Sequence, residues 1–339
     1  IGRGRILAVG PAGEVAGRFP AAPVRDLGEA ILLPGLVDAH THLTWADVPP
    51  AAGPFASFID AMAGRVRALD PMRLARVARR AAHRLLAAGV TCVGDSGPCP
   101  EVLPAIAATG LAGVFFLEVF GPGPGDAAGA AARAERFLDG LSARGELSVG
   151  LAPHAPYTVG PDLFRLVARI ARERDLPLST HLGESREESE FLARGEGPLA
   201  TRLRARGIAV RGTGLDPASY LASLGVLDGL RWVLAHGVHL PPAGLARLGD
   251  AAIVLCPASN ERLAVGTAPV ASIYASGLEV AIGTDGAVTD PAQDPFEAMR
   301  RVRAAGAPSP AAVVRAATLG GATALGLSRR VGSIAPGKR

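Results

Sequence analysis

Lysine is all but missing from this chain: among 339 residues only Lys338 is one, so nearly all positive charge is arginine. The arginines are spread along segments of helical period rather than gathered in blocks. The net charge of +4 and pI near 9.4 therefore describe solvated helix faces, and no nucleic-acid partner is expected. Cysteine is nearly as scarce. Cys92, Cys99 and Cys256 are too few and too irregularly spaced for a disulfide framework or a paired-cysteine zinc knuckle, which points to a reducing cytoplasm. No apolar run approaches the length needed to cross a bilayer, so no membrane partner is expected and the chain reads as soluble. No basic-then-apolar leader opens it, and with Ile1 first and Arg339 last both ends are expected to be trimmed.

What is present is material for a large core, with 49% hydrophobic residues, arranged in a repeating pattern. From residue 31 onward, short runs rich in Val, Ile and Leu alternate with Ala/Arg/Leu segments of helical period, the pattern of repeated βα units. Eight strands are expected to end near Val37, Val93, Val119, Leu151, Thr180, Ala235, Cys256 and Gly283, with helices such as 72–88 and 161–174 between them. The fold class is α/β, a closed (β/α)8 barrel over residues 31–330. Residues 1–30 lie outside that pattern: 5–15 reads as strand, turn and strand. Together with 331–339 they are expected to form a small, truncated β-sandwich appendage built from both chain ends.

Functional groups of such a barrel gather at the C-terminal ends of its strands. Six of the seven histidines fall there: His40, His42, His154, His181, His236 and His239, with only His83 inside a helix. A buried strand that ends in His-x-His can bring both imidazoles to one metal ion. Taken singly, His83 is a helix residue, and His239, in a loop before Pro241, is a structural one.

Pro34-Gly-Leu-Val-Asp-Ala-His-Thr-His42, His181-Leu-Gly-Glu184, His236-Gly-Val-His239 and Gly283-Thr-Asp285 together resemble the amidohydrolase superfamily. The similar branch contains adenosine-type and S-adenosylhomocysteine deaminases, triazine hydrolases and aminodeoxyfutalosine deaminases. The resemblance runs from about residue 31 to the C-terminus and includes Cys256-Pro-Ala-Ser-Asn260 and Gly332-Ser-Ile-Ala-Pro-Gly-Lys338. It implies that His40, His42, His181 and Asp285 bind one catalytic divalent metal, and neutral imidazoles with a carboxylate suit Zn²⁺ first and Fe²⁺ second. Some relatives bridge two metals with a carboxylated lysine inside the barrel. The lone Lys338 excludes that arrangement here.

The resemblance further implies that Glu184 carries a proton to the ring nitrogen beside the attacked carbon. His236 and Asp285 would orient and deprotonate the water, and ammonia would leave. The alternative for Glu184 is a favourable charge at the N-terminus of the helix opened by Ser185. His154 is the expected substrate-binding histidine. Asn260 and Glu118 are further substrate-binding candidates, each with turn capping as the alternative.

The expected activity is hydrolytic deamination of an adenine-containing small molecule, with Leu117-Glu-Val-Phe-Gly121 and His181-Leu-Gly-Glu-Ser-Arg-Glu-Glu188 resembling aminodeoxyfutalosine deaminases of menaquinone synthesis. The alternatives are a guanine or cytosine ring, or the chloride or alkylamine leaving group of a triazine hydrolase. Specificity is expected in residues 45–58 and 121–126. Thr44 stands where many relatives have glutamate and Gly286 where serine is usual, which leaves the substrate open. The base-flipping zinc deaminases are no guide, because their His-x-Glu and Pro-Cys-x-x-Cys motifs are absent. A barrel that had lost its chemistry would be free to lose these ligands, and all are present. A homodimer is the assembly considered.

Overall fold

The computed structural model describes residues 1–49, 53–67, 70–141 and 146–339. Eight strands form one sheet in sequential order: β1 (Leu36–Thr41), β2 (Val90–Gly97), β3 (Ala112–Val119), β4 (Leu147–Pro153), β5 (Leu178–Leu182), β6 (Trp232–His236), β7 (Ala252–Leu255) and β8 (Glu279–Ile282). Each pairs in parallel with the next, and helices fill the intervals. This is the (β/α)8 barrel read from the sequence.

The helices follow from their own residues. Asp70 caps the helix Pro71–Ala87 by accepting from the backbone N–H groups of Met72 and Arg73, and Pro71 supplies a preset φ at its first position. Leu74, Val77, Ala78, Ala81, Ala82 and Leu85 recur at three- and four-residue spacing and are buried against the sheet. The helix Pro161–Arg174 buries Leu163, Phe164, Val167, Ala168, Ile170 and Ala171 in the same way.

The strands outrun the apolar runs that announced them. β1 extends to Thr41 rather than Val37, and β2 to Gly97 rather than Val93. The added residues include Asp38, His40, Asp95 and Ser96, which are polar and yet buried. Along β1, Asp38 pairs with Val93 and Thr41 with Asp95, three steps against two, so one extra residue is inserted in the Ala39–His40 stretch. A bulge of this kind re-aims side chains at the strand end.

The barrel closes between its first and last strands by a single bridge, Thr41 to Asp285. Gly283 permits that approach, since a Cβ there would stand 2.7 Å from the His40 carbonyl oxygen and 3.0 Å from its Cβ.

Residues 1–35 differ from the strand-turn-strand expectation. They hold one isolated bridge, Gly2 to Arg5, and a short helix, Ala12–Arg18, and neither end forms a strand among the described residues. A two-stranded ribbon with no third strand or apolar cover is marginal. Leu7, Val9, Val24, Leu27, Ile31 and Leu32 are exposed, with no such cover among the described residues. The two ends do meet: Ile6 donates to the Lys338 carbonyl at 2.7 Å and accepts from Gly337 at 2.8 Å. Among the described residues no helix is long and apolar enough to cross a membrane. Cys92, Cys99 and Cys256 are all buried and free.

Candidate active site

At the C-terminal mouth of the barrel β1 delivers His40 and His42, β5 delivers His181, and the turn after β8 delivers Asp285. One ligand atom from each lies within 4.8 Å of all the others. The two histidines at the mouth are tied from behind: His42 Nδ1 donates to the Ser96 carbonyl at 2.8 Å and His181 Nδ1 to the His154 carbonyl at 2.9 Å. Carbonyl oxygens only accept, so both Nδ1 atoms carry a proton, and in the neutral rings that ligate a metal both Nε2 atoms carry a lone pair. Those Nε2 atoms face each other at 3.3 Å, with Asp285 Oδ1 3.3 Å from that of His42. Two lone pairs and a carboxylate oxygen converging on one buried point repel unless a cation stands between them.

His40 completes the group, with neither ring nitrogen hydrogen-bonded and its Nε2 3.6 Å from Asp285 Oδ1. Burial pushes His40 down to about 4, so it is neutral and able to ligate. Burial likewise holds His181 well below the usual histidine range. His42 is the exception: burial acts to lower it, but the carboxylates of Glu118, Asp285 and Asp95 together hold it up. Burial also opposes ionisation of Asp285, and is outweighed by His40 beside it and by the neighbouring imidazoles of His42 and His236, so Asp285 lies well below the usual carboxylate range. Its Oδ2 accepts from Ser259 Oγ at 2.6 Å and Thr289 Oγ1 at 2.8 Å, which leaves Oδ1 for the cluster. Three imidazoles and one such carboxylate fit a single divalent transition metal.

Beside the cluster stand Glu184 and His236, with Glu184 Oε1 3.7 Å from His236 Nε2. His236 Nδ1 donates to Asn260 Oδ1 at 2.9 Å, so its Nε2 lone pair is free, and that atom has no other partner. Burial lowers His236 and keeps it neutral. Glu184 is buried and raised well above the usual range, first by desolvation and then by the charge of Asp285. A carboxyl shifted toward its protonated form and an imidazole shifted toward its neutral form thus stand side by side. His236 and Asp285 both hold left-handed backbone, φ +75° and +58°, which side chains other than glycine adopt at a cost and which clusters at functional sites.

Glu184 is free to face the cavity because another residue fills the helix-end role once considered for it. Ser185 caps the helix Arg186–Arg194, and Glu188 accepts from the backbone N–H groups of Gly183 at 3.0 Å and Glu184 at 2.9 Å. The Ser-x-x-Glu spacing after His181-Leu-Gly-Glu184 is the signal that announces this. Burial pushes Glu188 up to about 8, with its two backbone donors pulling it back. Asp95, at the end of β2, was also missed by sequence reasoning; it accepts from Leu43 N at 2.8 Å and fixes the chain just past His42.

A cavity of about 320 Å³ opens over these groups, lined by His42, Glu118, His154, His181, Glu184 and Asp285 and walled by apolar side chains. Both expected specificity segments reach it, through Trp45 and Phe58 and through Pro122; residues 50–52 of the first lie outside the described residues. Arg202 and Arg206 also reach it. His154 Nδ1 donates to Thr158 Oγ1 at 2.9 Å, since that hydroxyl is itself donated to the Ala155 carbonyl, so Nε2 is left as an acceptor. Glu118 is buried, with Oε1 3.7 Å from His42 Nδ1.

Asn260 departs from its expected place. It does not line this cavity, and its side-chain oxygen accepts from His236 Nδ1. His239 donates through Nε2 to the Val265 carbonyl at 2.8 Å, and His83 is exposed in the helix Pro71–Ala87.

A parallel (β/α)8 barrel with three histidines and an aspartate converging at its mouth, beside an acid and a base, defines a metal-assisted hydrolase. Comparison with known proteins is specific. The sequence profile described as the amidohydrolase family matches residues 31–339. The chain is 35% identical over 294 residues to an aminodeoxyfutalosine deaminase of Deinococcus radiodurans, covering 83% of this chain and 69% of that one. It is 32% identical over 359 residues to a 5-methylthioadenosine/S-adenosylhomocysteine deaminase of Halobacterium salinarum, covering 95% and 74%. The crystal structure of an adenosine deaminase from Xanthomonas campestris with bound zinc superposes with a TM-score of 0.83 at 29% identity, covering 100% of this chain and 77% of that one. The chain belongs to the amidohydrolase family.

Proposed function

We propose that this enzyme hydrolytically deaminates an adenine-containing small molecule, with one divalent metal held by His40, His42, His181 and Asp285. Zinc is the first choice and iron the second for that donor set. The metal, when bound, supplies hydroxide at neutral pH by lowering the pKa of a water to about 7. The observation that carries the reading is the buried pair beside those ligands: Glu184, its carboxyl raised by burial, 3.7 Å from the unpartnered Nε2 of His236, which burial lowers.

Cleaving a ring C–NH₂ bond needs this combination, because the amino group cannot leave as an amide ion. Glu184 holds the proton destined for the ring nitrogen, and His236 Nε2 accepts one from the attacking water and returns it to the amino nitrogen, which leaves as ammonia. His154 Nε2 accepts a hydrogen bond from the heterocycle and orients it. The Asp285 carboxylate shares the base role with His236. The apolar cavity wall suits an adenine that carries a substituent, as in 5′-methylthioadenosine, S-adenosylhomocysteine or aminodeoxyfutalosine. The relative at 35% identity favours aminodeoxyfutalosine among these, and with it a cytoplasmic role in menaquinone synthesis.

An ultraviolet screen tests the reading. The adenine chromophore is expected to give way to that of hypoxanthine, with one ammonia released per turnover, for at least one member of the series adenosine, methylthioadenosine, S-adenosylhomocysteine and aminodeoxyfutalosine. Turnover of only guanine, cytosine or triazine compounds would overturn it.

A further inference from the structure

The ligand cluster straddles the seam between β1 and β8, which a single bridge joins. His40 and His42 ride on β1, while Asp285 rides on the turn after β8, and the two strands share only the bridge from Thr41 to Asp285. The relative position of these ligands therefore depends on whatever else crosses the seam.

A buried polar network does. Thr284 donates to Asp38 through its backbone N–H at 3.0 Å and its hydroxyl at 2.6 Å. Thr41 Oγ1 donates to the Asp285 carbonyl at 2.8 Å, and Asp285 N donates to the His40 carbonyl at 3.0 Å. Gln293, 5% exposed, closes the network: its Nε2 lies 3.1 Å from the Asp285 carbonyl, 3.2 Å from Thr41 Oγ1 and 3.4 Å from Thr284 Oγ1. The carbonyl can only accept, which fixes the amide with its nitrogen toward the seam.

Directions of donation are consistent throughout. Each threonine hydroxyl gives its proton to an oxygen and keeps a lone pair for Gln293. Gln293 itself is held in left-handed backbone, φ +43°, by donating to Asp290 O at 3.1 Å and to Asp290 Oδ1 at 3.2 Å. A non-glycine residue in that conformation persists only where its surroundings hold it.

We propose that Gln293, with Asp38, Thr41 and Thr284, is a latch across the barrel seam that sets the distance and orientation of Asp285 relative to His40 and His42. Gln293 and Asp38 touch no substrate. They are positioning residues, acting through the Asp285 peptide, whose left-handed turn they brace from the carbonyl side while Ser259 and Thr289 brace the carboxylate. The inference rests on reading these ligands as one metal site.

The test measures metal binding rather than turnover. Zn²⁺ affinity is determined by competition with a chromophoric chelator, and the visible spectrum of the Co²⁺-loaded protein is recorded, for wild type, Gln293→Leu and Thr41→Val. Partners at this remove from a metal tune affinity by about 10- to 100-fold. Gln293→Leu is expected to weaken Zn²⁺ within that range and to shift the Co²⁺ bands while near-ultraviolet circular dichroism stays native. Thr41→Val, a shape-conserving loss of one hydroxyl, is expected to act in the same direction and less. It carries the test if Gln293→Leu does not fold. Wild-type affinity and an unchanged Co²⁺ spectrum in the folded variants, even with a lowered melting temperature, would overturn the latch alone. A wild-type chain that takes up no Zn²⁺ or Co²⁺ would overturn the metal reading and the latch with it.

Discussion

The ligand side of the site and its acid–base side are held in different ways. His42, His181 and Asp285 are each fastened from behind, by the Ser96 carbonyl, the His154 carbonyl and the Ser259 and Thr289 hydroxyls, and only the inward atoms are left open. His236 has one such tie, to Asn260, and Glu184 is anchored by its backbone through Glu188 while its carboxyl stays free. Three of the four clustered ligand groups are thus tied from behind, while His40 keeps both ring nitrogens, and His236 its Nε2, without a partner. An unsatisfied buried atom costs stability, so its survival marks a use.

The sharpest break in this comparison is removal of the ion. Prolonged chelation, or His181→Ala, is expected to abolish turnover, with Zn²⁺ or Fe²⁺ restoring only the chelated wild type; metal analysis and ammonia release read both. The acid–base side should fail differently. His236→Gln is expected to keep its metal and lose about 10²- to 10³-fold in kcat. Asn260→Leu, which frees the His236 tautomer without touching substrate, should lose about 10- to 100-fold, with kcat falling and KM nearly unchanged.

The pH profile separates the two sides next. Glu184 must be protonated to donate, and its value is raised, so kcat/KM falls as pH rises through that raised value. His236 must be neutral to accept, and its value is lowered, so activity is lost on the acid side only as pH drops through the lowered value. The basic limb is expected above the ordinary carboxyl value of 4.5 and the acidic limb below the ordinary histidine value of 6.5, and limbs at those ordinary values would contradict the assignment.

The smallest effect is on stability. Glu188 is raised to about 8 from an ordinary carboxyl value of 4.5, so the fold takes up a proton. Its contribution is fully present below about pH 4.5 and is lost as pH rises toward 8. Glu188→Gln should flatten that part of the decline in melting temperature, although it starts from a lower midpoint because one backbone donor loses its acceptor.

Much of this was legible in the chain. The helix Pro161–Arg174 begins and ends where its periodicity says, and His40, His42, His181 and Asp285 meet as their places at strand ends imply. The strand ends were misjudged where polar residues are buried by pairing with one another, as Asp38 is with Thr284, because hydropathy cannot register a partner hundreds of residues away. Gln293 and Ser259 carry no local pattern; their roles come from barrel closure. Asn260 looked like a substrate contact because it follows a strand end, but the helix Pro257–Arg262 turns it back onto His236. Residues 5–15 alternate like strands and lack the neighbouring sheet that would make them so.

The central claim is that Glu184 moves a proton and takes no part in holding the ion, and Glu184→Gln tests it most directly. The amide keeps the shape and removes the transferable proton. Metal content and kcat measured on the same sample should show about one divalent ion per chain, as in wild type, with turnover reduced by about 10³-fold. Near-normal turnover, or loss of the ion together with activity, would contradict the account.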